Sequence, residues 1–536
     1  MIENQQPQGD QPSQYLPAGP PDPLIFEEFE GINTTTLRPG VDDKQAAWFD
    51  GFMPLARRNL RTMYGIGPTL FTHDGTSSVL FFDFFNIGTT PYCLVVTSSG
   101  DIHAVNTNTL TSTQIAPNGT ILTPARTAMA LTQYGSQYVV IVAQQTNGYF
   151  IWDGTTFFKP GDAFLTGTIP LAIGGNAIEI YTGRVWIANN ATITFSAPGS
   201  LIVFASASGG GNFTSSDSFL RVKFVQLKQT NGFLYLIADS SVNYISGVQT
   251  SGAPPVTTFT NQNADPETGT AWPASVDVFN RNILFANAFG AQVSYGGAVT
   301  KISEALDGIY NTVPNFGNLT PSAGKAIIFG KKCWILLLPI IDPITGQQVN
   351  KLLLWNGKIW WAASQEVSLT YIQHQEINSV LTAYGTDGTS IYPLFAQLST
   401  GFTKVAQTKL WDKPGGYQFT KFVTRLWGIF KYYSFLSSAL TIAIDTEAGS
   451  ELLVVIPPSG AMTWLNAAQQ IMSWQTAGGG PFITWFTGGG SGGYSILGPQ
   501  AVTESGVLTG FTVSTNAADM AIVSMMMHDE VGGYRG

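Results

Sequence analysis

The chain is short of charge. Only 11% of its 536 residues are Asp, Glu, Lys or Arg, less than half of the roughly 25% carried by an ordinary soluble domain. Its surface polarity must come from Ser, Thr, Asn, Gln and the backbone. The charge present sums to −9, which argues against a general nucleic-acid binder, because phosphate contacts need a clustered basic surface. Cysteine is nearly absent: Cys93 and Cys333 stand far apart with no partner at metal-ligand spacing. That excludes a disulfide framework and a zinc-finger arrangement, and both read as small buried apolar residues. The four histidines, His73, His103, His374 and His528, form no H-x-x-x-H or H-x-x-E pattern, so no metal ligand is expected and turn or surface roles are. Long apolar runs are missing too. The most apolar stretch, 333–341, is far shorter than the roughly 20 residues that span a bilayer. The start, MIENQQPQGDQPSQYLPAGPPDP, has neither the basic end nor the apolar run of a signal peptide. A soluble protein made in the cytoplasm, with no membrane insertion, is the expectation.

Glycine and proline are plentiful, 58 and 29 residues, which favours many short segments joined by many turns. Residues 1–30 hold six prolines, five glutamines, six acids and no base. Such a segment buries too little apolar surface to offset its chain entropy and reads as a mobile acidic arm. Leu24, Ile25, Phe26 and Phe29 near its end are expected to dock on a neighbour. Residues 31–69 form a docking segment, with Asp42 or Asp43 capping one short helix over 44–49.

From about residue 70 helical periodicity gives way to runs of four to seven Val, Ile, Phe, Tyr, Trp and Thr residues that pair as hairpins, among them YVVIVAQQ-TNG-YFIWDG and FVQLKQ-TNG-FLYLIAD. Asn-Gly and Asp-Gly supply the positive φ that tight hairpins demand. One turn residue from each hairpin, Gly100, Gly148, Gly183, Gly232, Asn282, Gly330 and Gly388, gives intervals of 48, 35, 49, 50, 48 and 58. A period of roughly 40–50 residues with several strands per repeat is the signature of propeller blades. The all-β expectation is a six- or seven-bladed β-propeller over 70–395. The insertion IIDPITGQQVN accounts for the long last interval. A smaller β-sandwich follows over 396–536, with a helix over NAAQQIMSW.

Signatures of chemistry are sparse. GGGSGG at 488–493 matches G-x-G-x-x-G, but no helix opens after it and no acid follows about 20 residues on; it reads as a loop tip. NADPETGT at 263–270 lacks the alternating acids of a calcium loop. No catalytic, cofactor-binding or metal residues are expected, so the chain is not read as an enzyme. A glycosidase pair of carboxylates converging across blades is the alternative.

Two basic clusters stand out. Arg57, Arg58 and Arg61 follow Trp48, and 401–440 sets six bases among aromatics, with Lys409, Trp411 and Lys413 at its start; 441–536 holds seven acids against one base. Three readings apply: ordinary outward charge, stacking on single-stranded nucleic acid, or contact with an acidic partner such as the arm or the 441–536 face of a neighbouring copy. Trp48, Arg57, Arg58, Arg61, Lys409, Trp411 and Lys413 are the candidate subunit-interface residues.

The segment GINTTTLRPGVDDKQAAWFDGFMPLARRNLRTMYGIGP resembles the opening of the tail nozzle proteins of short-tailed bacteriophages, also known as tail tubular protein B or DNA-stabilising tail hub proteins. The matching elements are Gly31–Thr34, Asp42–Gln45, Trp48 and the basic run 57–68 leading into Gly-Pro. GRVWIANNATITFSAPGS at 183–200 is similar to an Arg-aliphatic-Trp … Ser-x-Pro-Gly blade of that family, and KLWDK at 409–413 to the start of its sandwich. The resemblance implies a structural virion protein, assembled in the host cytoplasm. It implies a homo-oligomeric ring, expected as a hexamer, seated beneath a head-tail adaptor, with fibres or a tail plug as further partners. DNA would be retained by and ejected through the lumen without sequence-specific binding. The alternatives are a receptor- or glycan-binding propeller, using Trp and Tyr as sugar platforms, and a cytoplasmic scaffold.

Overall fold

Runs of β-branched and aromatic residues broken by left-handed turns build a circle of antiparallel sheets. The computed structural model describes residues 23–214, 223–313, 320–433, 440–447, 449–456, 464–465, 471–472, 474–475, 482–483, 494–501 and 504–534. The protein is all-β, with 55% of residues in strands. Six free-standing four-stranded blades are formed by residues 79–116, 129–158, 177–214, 224–265, 277–301 and 371–393, the last completed by Phe71–Thr72. A further four-stranded unit, 322–363, stands between the fifth and the last of these and begins a nine-stranded sheet. The first strand of each unit packs beside the first strand of the next, and Tyr371–Ile377 returns to Val79–Ile87 to close the circle. In chain order the units are called blades one to seven.

The propeller therefore spans 71–393, against the expected 70–395. Each of the seven turn residues marked in the sequence falls in a different blade. The uneven intervals have a cause other than the insertion. Gly100, Gly148 and Gly388 lie between second and third strands, whereas Gly183, Gly232, Asn282 and Gly330 lie at turns between first and second strands. The interval of 35 and that of 58 are the two changes of phase. At Gly100 φ is +78°, and a Cβ there would lie 2.1 Å from the Ile121 carbonyl oxygen, so the turn tolerates glycine alone.

The two ends of the chain build the second body together. One sheet takes Phe52–Ala56 and Asn59–Thr62 from the N-terminal side and Met520–Tyr534, Phe419–Tyr432 and Tyr494–Ala501 from the C-terminal side, with Leu24–Phe26 added along Met525–Met527. Opposite it run Trp48–Asp50, Lys404–Gln407, Thr509–Thr515, Leu440–Thr446 and Gly449–Ile456, continuous with blade six through a parallel pairing of Asp50 with Ala362. One core, including Phe26, Trp48, Trp361, Leu426, Phe511 and Met525, fills the space between the sheets and reaches into blade six.

This revises the expected boundaries. The sandwich is present, but the docking segment 31–69 and the end of the acidic arm belong to it. Residues 44–49 form no helix: Asp42 Oδ1 accepts the Lys44 N–H at 2.9 Å and turns the chain, which then enters the strand Trp48–Asp50. Phe26 and Phe29 are buried within their own chain; the arm before residue 23 and the 488–493 loop lie outside the described residues. Of the helix expected over 466–474, Ile471–Met472 and the start of Trp474–Gln475 are strand, and the rest lies outside the described residues.

Candidate functional site

The innermost strands of the propeller face a central channel, and an inner strand has no neighbour to take its channel-side N–H groups. Five blades meet that need with the same device. Asp83, Glu179, Gln226, Asp277 and Gln373 each fold back so that a side-chain oxygen accepts the N–H of the following residue, at 2.8, 3.0, 3.0, 2.7 and 3.0 Å. Successive members stand 96, 47, 51 and 96 positions apart, one or two blade periods each time.

These residues line a cavity of about 390 Å³ together with Arg126, Lys228, Lys325, Tyr371 and His374. Lys325 Nζ donates to the Val278 carbonyl at 2.8 Å and lies 3.2 Å from Asp277 Oδ1. Burial pushes Asp277 upward, but Lys325 and the other groups around it, among them Lys228 and the Val278 N–H, together outweigh it and leave the carboxyl below its ordinary range. Burial drives His374 down to about 3, so the ring is neutral. Its Nδ1 sits 3.8 Å from Asp277 Oδ2, and neither atom has a hydrogen-bond partner among the described residues. Asp83 and Glu179 lack so close a cation; burial raises both, Asp83 to about 6, with Lys228 opposing. Arg126 seals one side by donating to the carbonyls of Leu80 (2.6 Å) and Thr370 (2.7 Å) over the Tyr371 ring. Among the described residues the lining contains no serine, threonine, cysteine or tryptophan. The channel can hold a small polar guest among charges of both signs, but its lining offers no hydroxyl or thiol nucleophile apart from the Tyr371 phenol, whose pKa burial pushes well up.

The candidate interface residues are gathered at the joint between propeller and sandwich. Trp48 is fully buried and Trp411 is 3% exposed, so neither ring is a surface contact; apolar residues on both sheets claim them. Arg57 and Arg58 bind Glu27, Arg58 Nε at 2.7 Å from Oε2. Arg61 holds Asp519 with two bonds of 2.8 and 2.9 Å and lies 4.2 Å over each of the Phe329 and Tyr433 rings. Lys409 and Lys413 both reach Asp43, at 2.8 and 3.6 Å. The acidic partners expected on a neighbouring copy are thus supplied by the same chain. Arg57, Arg58 and Lys413 keep most of their side chains exposed.

The N-terminal residues of the resemblance form part of the same joint. Gly31, at φ +89°, packs where a Cβ would lie 2.9 Å from the Trp360 carbonyl oxygen. Asn33 Nδ2 donates to Gln45 Oε1 at 2.8 Å, and Ile32 bridges Ala46 in parallel. In blade three, Arg184 is buried and donates to the carbonyls of Ser196 and Gly209, with Trp186 stacked on Phe195. Asp50, Asp342 and Lys351 also meet at this joint, a cluster that no sequence motif marks. Their signal is weak: a lone lysine within the apolar run KLLLW, and single acids at strand ends.

No family model matches the sequence, and no curated protein matches it. Among solved structures, the extracellular domain of a putative hybrid two-component system from B. thetaiotaomicron is similar, at 10% identity and a TM-score of 0.38, over 62% of this chain and 40% of that one. BBS1N in complex with ARL6DN is similar at 8% identity and a TM-score of 0.38, over 63% of this chain and 98% of that one.

Proposed function

We propose that the chain is a structural protein of a short-tailed bacteriophage tail, a nozzle subunit that assembles into a ring through which DNA is retained and ejected. The observation that carries this reading is the joint. The segment that resembles the family is woven between both halves of the chain, Gly31 against Trp360 and Arg61 to Asp519. The propeller is thereby an insertion clamped at both ends on a double sheet that shares strands with blade six. A wall that withstands pressure needs such continuity, and closed blades leave few open strand edges to pair with neighbouring copies.

The net charge of −9 supports a lumen along which DNA slides, since like charge opposes phosphate adhesion. Arg57, Arg58 and Lys413, exposed on the joint, are the side chains left to meet a neighbouring subunit or the adaptor. The glycan-binding alternative draws on acids in the channel but finds no tryptophan to stack a sugar among the described residues that line it. Negative-stain imaging and native mass measurement of the full chain mixed with its adaptor test the proposal. Closed rings are expected; a chain that stays monomeric while the adaptor assembles would overturn it.

A further inference from the structure

Two of the four histidines meet at the seam where the propeller closes. His73 follows the ring-closing strand Phe71–Thr72, which pairs with blade seven, and its N–H bonds the Thr389 carbonyl at 3.0 Å. Asp101 and His103 belong to blade one, at the start of its third strand Ile102–Asn106. His73, Asp101 and His103 each offer one ligand atom within 4.8 Å of the others, and the imidazole rings lie 5.5 Å apart.

Asp101 and His73 are each held by hydrogen bonds from outside the cluster. The Asp101 carboxylate is 2% exposed, and the hydroxyls of Thr97 and Ser99 both donate to its Oδ1. That leaves Oδ2 facing His103 Nε2 at 2.7 Å. His73 Nε2 bonds the Ser77 hydroxyl at 2.7 Å, while its buried Nδ1 has no hydrogen-bond partner among the described residues. Gly75 makes room for this ring, because a Cβ there would lie 2.6 Å from His73 Nε2. A metal-bound histidine characteristically engages its second nitrogen in an outer hydrogen bond, as His73 does here, and a bound carboxylate is itself hydrogen-bonded.

We propose that His73, Asp101 and His103 form a divalent-cation site of the zinc class that clasps the propeller seam. Two imidazole nitrogens and one carboxylate oxygen are the donor set such an ion takes, with water at the fourth position. The ion takes the place of the proton shared by His103 Nε2 and Asp101 Oδ2, which leaves to solvent. Because His73 is on the closing segment and the other two ligands are on blade one, the ion ties the seam directly. The site stands apart from the tail reading and holds whatever the protein builds.

Native mass measurement of the full chain with Zn²⁺, and the visible absorption of Co²⁺ in its place, test the site. One ion per chain, a tetrahedral Co²⁺ spectrum and a melting temperature raised by a few degrees are expected. Asp101→Asn keeps an oxygen for the Thr97 and Ser99 hydroxyls, and with His73→Gln it should weaken Zn²⁺ binding by at least tenfold in each single variant. His528→Gln, in the sandwich, should leave binding unchanged. Hydrogen exchange at 71–73 should slow on adding Zn²⁺ to the wild type. Absence of binding by the wild type at 100-fold molar excess of Zn²⁺, or equal binding by the His73→Gln and wild-type chains, would overturn the proposal.

Discussion

Lys351 in blade six places its ammonium 2.6 Å from Asp50 Oδ2, a carboxylate 301 positions earlier on the strand that carries blade six into the sandwich. Asp342 Oδ2 lies 2.7 Å from the same nitrogen, and the Ser364 hydroxyl bonds both Lys351 and Asp50. Burial alone would lower the lysine pKa, but Asp50 and Asp342 reverse this and raise it. The charge is therefore fixed where the two bodies join.

Removing that ammonium strands two buried carboxylates. Lys351→Met should cost about 3–5 kcal/mol, the range for breaking a buried pair on one side. Urea denaturation of the full chain measures it, and a loss below about 1 kcal/mol would contradict the role given to Lys351.

The channel makes a prediction about pH. Asp83 titrates at about 6 in the folded protein against an ordinary 3.8, so folding favours the protonated form. Its contribution is complete below the ordinary value and is lost as pH rises through 6. Asp83→Asn keeps an oxygen for the Phe84 N–H and removes this loss. The variant should match the wild type near pH 4 and exceed it at pH 7.5 by up to about 3 kcal/mol. His374 acts with the opposite sign: its value of about 3 means stability is present above the ordinary histidine range and lost as pH falls through it. Thermal melts of wild type and Asp83→Asn across pH 4–8 isolate the Asp83 part.

The arginines of the joint should divide by environment. Arg61 combines a two-bond carboxylate contact with two flanking rings, geometry that an ammonium does not reproduce, so Arg61→Lys should cost about 1–3 kcal/mol. Arg57→Ala and Arg58→Ala should leave the melting temperature unchanged, since exposed pairs contribute little, yet weaken ring assembly. Melting curves and native mass spectra of the three variants separate the two effects.

Phe26 tests the reassignment of the N-terminal segment. It is 2% exposed, edge-on to Phe29 at 5.1 Å and to Phe511 at 6.0 Å. Phe26→Ala should cost about 3–5 kcal/mol in chemical denaturation; a negligible cost would return residues 24–30 to the status of an arm.

The propeller was legible because its turns are written in residues that the backbone requires: Gly100, Gly183, Gly232, Gly330 and Gly388 all take positive φ. The period survived even though the marked turns changed phase at blades three and seven. The channel was hidden because Asp83 in VLFFDFFNI reads as an outward residue of a half-buried strand, and only the closed circle turns it inward. Around Trp48 the local signal misled. Asp42 does bond the Lys44 N–H as a cap would, but strands 48–50 and 404–407 offer a ladder that outweighs the helix preference of six residues. The sandwich was half legible, since its C-terminal strands carry their own pattern while its N-terminal ones gain meaning only from pairing with Met520–Tyr534. His73 and His103 fit no local motif because the seam, not the sequence, brings them together.

The central claim, that this chain is the wall of a tail conduit, is tested most directly by a density map of the assembled particle. The account predicts a ring of copies at the tail, sandwich bodies in mutual contact and propellers projecting outward around an open lumen. Isolated copies at the periphery, each presenting its propeller channel to solvent or to a bound sugar, would contradict it.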